Sequence, residues 1–400
     1  MTVTPPETQV DVFPVLDTMR ALAATAVLVT HVAFQTGQYS EGLWGTALAR
    51  LDIGVAVFFV LSGFLLTRPY LLAARKSRPA PSLRRYLRRR SLRIMPVYVV
   101  TVCAALLLLP DNRGASAGEW IRNLTLTDIY AEGSLPAGLS QMWSLSAEVA
   151  FYVLLPVVML SVRVERFRSS EVRWAATAGL VALMLSIAWI IFALGDTALP
   201  PSALQWLPSY AIWFAAGMVL AAVQVHVSSS GRPHPAALTV ARLGRLPGSC
   251  LMVSLGLFLI ACTPLAGPVL LYLPTAQQAV VKTLLYAAIA GTLILPGVFA
   301  LSSGTFNRVM SWPPLRHLGH ISYSVFCIHL IVLALVVEAL DMELFTGQGL
   351  LVFGLTLTFT VIASELLYWG VERPFMRLGR GPRSRRATPR SSASVKTTSS

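Results

Sequence analysis

The chain has 400 residues, 55% of them hydrophobic and only 12% charged, with a formal net charge of +14. A soluble domain carries about 25% charged residues, so the composition excludes an ordinary water-soluble globule and predicts an all-α, polytopic membrane bundle. A chain of this length suffices for about ten spanning helices joined by short loops.

Residues 1–14 form a polar, proline-containing lead with no basic residue before the first apolar run, which argues against a cleavable signal peptide. Apolar runs follow at about 15–35, 50–72, 94–110, 143–162, 174–194, 206–225, 248–264, 279–300, 320–339 and 347–369. The stretch 265–278, with Pro264, Pro268 and Pro274 in or beside it, reads as a short external or re-entrant link rather than an eleventh span. One membrane domain, 15–375, is therefore expected. The tail 376–400 is basic, rich in Ser and Thr and free of aromatics, and is expected to be disordered. Cys103, Cys250, Cys262 and Cys327 lie in or beside apolar runs without metal-ligand spacing and read as small buried hydrophobes. The six histidines are scattered as well, so no metal is expected.

Basic residues set the orientation. Between the second and third runs lie Arg68, Arg75, Lys76, Arg78, Arg84, Arg85, Arg88, Arg89, Arg90 and Arg93, with no acid, which makes that loop cytoplasmic. Alternation then puts 163–173, 226–247, 301–319 and both termini on the same side. The segments 36–49, 111–142, 195–205 and 340–346 fall outside. Topology thus explains most of the positive charge. Arginines confined to one side of an integral protein argue for anionic lipid headgroups as partners and not for nucleic acid. The expected location is the plasma membrane, multi-pass, of a bacterium.

Ionisable groups inside apolar runs are costly and mark function by default. Arg20 and His31 are eleven residues apart, close to three full turns, so they share a face of the first helix about 16 Å apart along its axis. A snorkelling arginine with a packed polar histidine fits the same pattern. On the fourth run, Glu148 is predicted about 8 Å below the external surface if that helix starts near Met142. It would then share the depth of His31, as a partner that orients and charges the ring, or as half of a structural ion pair. Arg88, Arg89, Arg90 and Arg93 cluster at the mouth of the third run. Guanidinium forks bind phosphate well, while positive-inside retention explains the cluster equally well. Ser62 and Gly63 leave room for a thin ligand arm or for close helix packing. Trp143 reads either as an interfacial anchor or as a platform for a sugar.

Four blocks then converge. They are LDTMRALAATAVLVTH with Arg20 and His31; GVAVFFVLSGFLL, 54–66, with Ser62; RRRSLRIMPVY, 88–98, with Arg93, Ile94 and Pro96; and QMWSLSAEVAFYVLLP, 141–156, with Glu148 and Tyr152. A weaker fifth, LGHISYSVFCIHL at 318–330, is followed by WGVERP at 369–374. In this order the chain resembles the acyltransferase-3 family of integral-membrane O-acyltransferases. The resemblance implies ten core helices and transfer of an acetyl or longer acyl group from acyl-coenzyme A to a sugar hydroxyl, as on envelope glycans or macrolides. It implies His31 as catalytic base with Glu148 as its partner. Arg20, Arg93, Arg90, Arg89 and Ser62 are then expected on the acyl-donor side. The chain departs from the family at Ala56, where many relatives carry an acid, with Asp52 one turn away. It departs again after His329, where a common proline is missing, and His329 is given no catalytic role. The donor is expected from the cytoplasm and the acceptor from outside. No serine or cysteine nucleophile stands out, which favours direct transfer over an acyl-enzyme. A transporter or flippase of a lipid-linked sugar is the alternative, since ten spans and buried charges suit transport too.

Overall fold

The structure is a computed structural model that describes residues 13–40, 42–131, 135–161, 171–196, 198–269 and 272–379. Every regular element among them is helical. In chain order these are α1 (Pro14–Gln35), α2 (Gly42–Ala49), α3 (Gly54–Arg75), α4 (Leu83–Leu108), α5 (Ala117–Leu124), α6 (Met142–Ser161), α7 (Glu171–Gly195), α8 (Ala211–Ser229), α9 (Pro235–Gly244), α10 (Pro247–Ala261), α11 (Ala276–Phe299), α12 (Thr305–Met310), α13 (Pro313–Ala339), α14 (Gly349–Leu367) and α15 (Arg373–Gly379).

Nine described helices are long and apolar enough to cross a membrane. The run expected at 248–264 differs. It forms α10, 15 residues and therefore about 22 Å, short of a hydrocarbon core about 30 Å thick. It meets α9 at 90°, so this pair is a bent element where a straight tenth span was expected. The link after α10 does not span either. It makes a 3-10 turn at Pro264–Ala266 and continues without helix to Thr275 over its described residues.

Helix limits follow local chemistry. Thr275 caps α11 in a reciprocal box with Gln278, and Ser116 caps α5 in the same way with Glu119. Pro14, Pro235, Pro247 and Pro313 open their helices, where a missing N–H costs nothing. Past α14 the backbone widens into a π segment, Tyr368–Glu372, before α15. Helix thus runs to Gly379, beyond the expected end of the membrane domain. Residues 380–400, where the tail was predicted, lie outside the described residues, as do 1–12 and 162–170.

Burial separates centre from rim. Two thirds of the apolar windows of α3 and α13 are buried, against 17% for α7 and 22% for the α14–α15 stretch. The rim carries exposed Leu180, Met184, Phe192, Phe359 and Leu366, a surface suited to lipid. At the centre, α3 lies directly on α8. A Cβ on Gly63 would sit 2.1 Å from the carbonyl oxygen of Phe214, and one on Gly217 would sit 2.0 Å from that of Val60. Gly63 is therefore a packing glycine. A like crossing joins α1 to α13, where a Cβ on Gly319 would sit 1.9 Å from the Asp17 carbonyl oxygen.

The loops sort into two ends as the arginine pattern predicts. At the basic end, Arg75 reaches across to Ser229 and Ser230. Asp17 faces Arg316 and His320 there, each at 3.5 Å. At the far end, the amides of Phe345 and Gly347 donate to the carbonyls of Gln35 and Thr36. Trp206 donates to the Ile129 carbonyl, and Arg50 to those of Ala266 and Gly267.

Candidate active site

Five central helices converge on a narrow cavity of about 70 Å³ toward the basic end. Helix α1 supplies Arg20, α3 supplies Ser62, and α4 supplies Arg90 and Arg93. Glu148 and Tyr152 come from α6, Tyr323 and Phe326 from α13. Helical spacing explains the convergence: Arg90 and Arg93 are three apart, and Ser144, Glu148 and Tyr152 four apart, so each set shares one face. Three guanidinium groups against one carboxylate leave the lining strongly cationic.

Glu148 is the organising acceptor. Its Oε1 accepts from the Ser62 hydroxyl and, at 2.6 Å, from the Tyr152 hydroxyl. The Arg90 guanidinium stands 5.9 Å over the Tyr152 ring, and its Nε is buried without a hydrogen-bond partner. Arg20 reaches Asp17 only at 4.0 Å. Arg89 turns away and donates to the Gly379 carbonyl at the end of α15. Of the residues expected on the donor side, Arg20, Arg93, Arg90 and Ser62 line this cavity and Arg89 does not.

His31 lies elsewhere. Its Nδ1 is 2.7 Å from the Val27 carbonyl and 3.4 Å from Nε2 of His329, with the two rings 5.1 Å apart. Since a carbonyl only accepts, Nδ1 of His31 carries the proton and Nε2 keeps the lone pair. His329 is fixed in the same tautomer by the Phe326 carbonyl, 2.8 Å from its Nδ1. The lone pair on Nε2 of His329 thus faces the Nδ1–H of His31. His329, left without a role in the sequence, is the ring's orienting neighbour.

No hydrogen bond or ion pair joins His31 to Glu148 among the described residues, and the expected common depth needs correction. The depth estimate took α6 to start at the membrane surface. The residues leading into it instead dip into the bundle. Leu139 is fully buried, and Gln141 donates to the carbonyl of Cys327, midway along α13. Glu148 is therefore displaced toward the basic end, level with Tyr323 and with the arginines. Phe58 and Phe326, edge to face at 5.9 Å, line the cavity, and the Phe326 ring is 6.1 Å from His329. The histidine pair lies just beyond this aromatic wall.

A second buried acid escaped the sequence reading although its block was noted. Glu372, in the π segment, is 1% exposed; its Oε2 accepts from Ser324 at 2.9 Å and its Oε1 has no partner. The signal was an acid between an apolar helix and a basic tail.

A bundle of membrane-crossing helices enclosing arginines, a carboxylate and a histidine pair is a polytopic membrane protein with a chemically active core. The chain belongs to the acyltransferase-3 family: the model of the acyltransferase domain matches residues 13–369. It is a membrane O-acyltransferase. Acyltransferase MdmB of Streptomyces mycarofaciens is 28% identical, covering 91% of this chain and 92% of its own. Peptidoglycan O-acetyltransferase OatA of Listeria monocytogenes is 25% identical over 92% of this chain, which spans 56% of that relative's length. Nodulation protein 10 of Rhizobium leguminosarum is 27% identical over 44% of this chain and 50% of its own. No solved structure matches the chain.

Proposed function

We propose that the enzyme moves an acetyl or longer acyl group from acyl-coenzyme A to a hydroxyl of a sugar-containing acceptor, in the plasma membrane of a bacterium. The observation that carries this reading is the cationic, narrow cavity at the basic end, with a tautomer-fixed histidine one aromatic layer beyond it. Arg20, Arg90 and Arg93 suit the phosphates of the donor. The name of one relative, a peptidoglycan O-acetyltransferase, favours a glycan. A small glycosylated molecule such as a macrolide is the second acceptor class of this proposal; the relative matched along most of its length is named only as an acyltransferase.

The chemistry follows from the ring. Nε2 of His31 takes the proton of the acceptor hydroxyl while the oxygen attacks the thioester carbonyl. The carbon–sulfur bond breaks, and the departing thiolate recovers the proton from the imidazolium. His329 holds the ring through its Nδ1–H. Glu148 belongs in this scheme to the donor cavity, where it holds Ser62 and Tyr152 among three arginines.

The basic end is assigned to the cytoplasm, with both chain termini. Cysteines placed at Ser40 or Asp128 are then labelled from outside intact cells, while one at Pro81 is labelled only after permeabilisation. Labelling of Pro81 in intact cells would reverse the side of donor arrival. Purified protein with radiolabelled acetyl-coenzyme A and a glycan mixture tests the reaction itself. Label recovered on a sugar supports transfer. Sugar moved across a vesicle membrane without label would favour the flippase alternative.

A further inference from the structure

A second cavity opens at the far end of the bundle. At about 420 Å³ it is far larger than the arginine cavity and falls within the roughly 300–1,000 Å³ of small-molecule sites. Part of its lining is aromatic. Trp143 and Tyr210 stand 5.0 Å apart between ring centroids, and Tyr210 and Trp213 stand 4.6 Å apart. Another part is ionic. Nζ of Lys282 lies 2.7 Å from Oδ2 of Asp52, and the Tyr286 hydroxyl donates to Oδ1 of the same carboxylate. Both members of the pair keep about a third of their side-chain surface open, 31% and 32%. Lys282 spends one of three donors there, and each Asp52 oxygen keeps acceptor capacity. Two further lining residues, Arg50 and Ser209, are each 2% exposed, and Nε of the first and Oγ of the second lack partners within the protein.

These features select a ligand. An anion meets the Asp52 carboxylate and a cation meets Lys282 and Arg50. A lipid tail would strip water from the ion pair without replacing its hydrogen bonds. A hydroxyl both donates and accepts, so neighbouring hydroxyls complement the pair. A sugar ring adds an apolar C–H face for the aromatic wall. We propose that this cavity is an acceptor subsite that binds an uncharged sugar ring, seated on Trp143 and Tyr210 with its hydroxyls on the Asp52–Lys282 pair. The word acceptor rests on the acyl-transfer reading; the binding of sugar does not.

Its position fits transfer. Val55 lines both this cavity and the arginine cavity. The carbonyl of Ala49, another lining residue, accepts from Thr30 at 2.9 Å, and Thr30 immediately precedes His31 in α1. The subsite and the donor cavity therefore flank the histidine from opposite ends of the bundle.

The test uses the full chain in lipid nanodiscs, with saturation-transfer NMR of N,N′-diacetylchitobiose and of maltose, and with glucose 6-phosphate as a charged probe. At least one disaccharide is expected to bind saturably and more tightly than glucose 6-phosphate. Lys282→Met and Trp143→Ala are expected to weaken it at least tenfold. Ala279→Trp, which fills the cavity while keeping both members of the ion pair, should do the same. Acetyl-coenzyme A affinity measured on each variant reports that its fold and donor cavity survive. The proposal is overturned if neither disaccharide saturates the wild type, if Ala279→Trp binds it as the wild type does, or if glucose 6-phosphate is preferred. Sugar binding lost in the variants, with no release of coenzyme A by the wild type, would keep the subsite and remove acyl transfer. Transfer with an unchanged acceptor KM in all three variants would do the reverse.

Discussion

Two cavities of this bundle, one at each end, differ in every property that selects a ligand. The one near the basic end is narrow and holds three guanidinium groups against one carboxylate. The one at the far end is wide, aromatic, and has its accessible lysine and aspartate paired with each other. Unbalanced charge in a low-dielectric site is costly unless a ligand of opposite sign completes it, so the first cavity is built for an anion. A balanced pair needs no counter-ion and offers hydrogen bonds instead, so the second suits a neutral polar ligand. Between them stand two histidines whose tautomers are set by backbone carbonyls. In the proposed scheme one chain keeps a charged donor and an uncharged acceptor apart, with His31 as the base where they meet.

The comparison breaks most visibly at the histidine. His31→Ala should lower single-turnover acyl transfer by about 10²–10⁴-fold, the usual worth of general base catalysis. It should leave acetyl-coenzyme A and sugar affinities near wild type, because neither cavity is lined by His31. Near-wild-type transfer by a folded His31→Ala protein would make this histidine a packing residue.

The next effect is confined to one end. Arg93→Ala removes a guanidinium from the donor cavity. The loss of a hydrogen bond to a charged group costs about 1.5–3 kcal/mol, roughly ten- to a hundredfold in acetyl-coenzyme A affinity. Disaccharide binding should not change. Calorimetry on both ligands checks this, and an unaltered donor affinity would remove Arg93 from the donor site. Arg89→Ala, whose side chain reaches α15 instead, should weaken the donor far less.

A third change acts on the frame that holds both cavities. Gly63→Ala places a methyl group 2.1 Å from the Phe214 carbonyl oxygen, so α3 and α8 must separate. Overpacking of this kind costs about 1–3 kcal/mol. A lower thermal midpoint is expected, together with looser binding at both ends. A selective loss of donor binding would instead give this glycine the ligand-arm role that its neighbour Ser62 suggests.

What the sequence made legible follows from what helical periodicity encodes. Arg20 was legible because arginine is rare in apolar runs and its depth can be counted from a helix end, and Arg93 because it stands in a basic cluster at the mouth of such a run. The two-ended sorting of loops was legible for the same reason, since charge asymmetry is written along the chain. The short α10 was not, because an apolar run of that length says nothing about the 90° bend with α9. Neither cavity was legible as a volume. The Asp52–Lys282 pair joins residues 230 positions apart, and no local pattern records such a contact. Trp143 was noticed, yet its partner Tyr210 is fixed only by the packing of α6 against the start of α8.

The smallest predicted effect discriminates most sharply between the sequence-based site and the folded one. Counting residues from Met142 paired Glu148 with His31. The structure buries the residues ahead of α6, with Gln141 bonded to the Cys327 carbonyl, and so carries Glu148 down to the arginines. The two arrangements differ in what Glu148→Gln does. If the carboxylate charged and oriented the imidazole, its removal would weaken transfer strongly, since the base would lose its ionic support. In the donor cavity the same change keeps an amide oxygen to accept from Ser62 and Tyr152 and removes the one carboxylate that lines the cavity beside three arginines, while Glu372 stays near Arg93 and Arg20. Donor affinity should then hold or rise, and single-turnover transfer should fall less than tenfold. Measuring both quantities on one preparation separates the cases. A loss of a hundredfold or more in transfer, with donor affinity unchanged, would restore Glu148 as the partner of His31. Tighter donor binding with nearly normal transfer would fix the carboxylate as the counterweight that keeps the arginine cavity from holding its product too firmly.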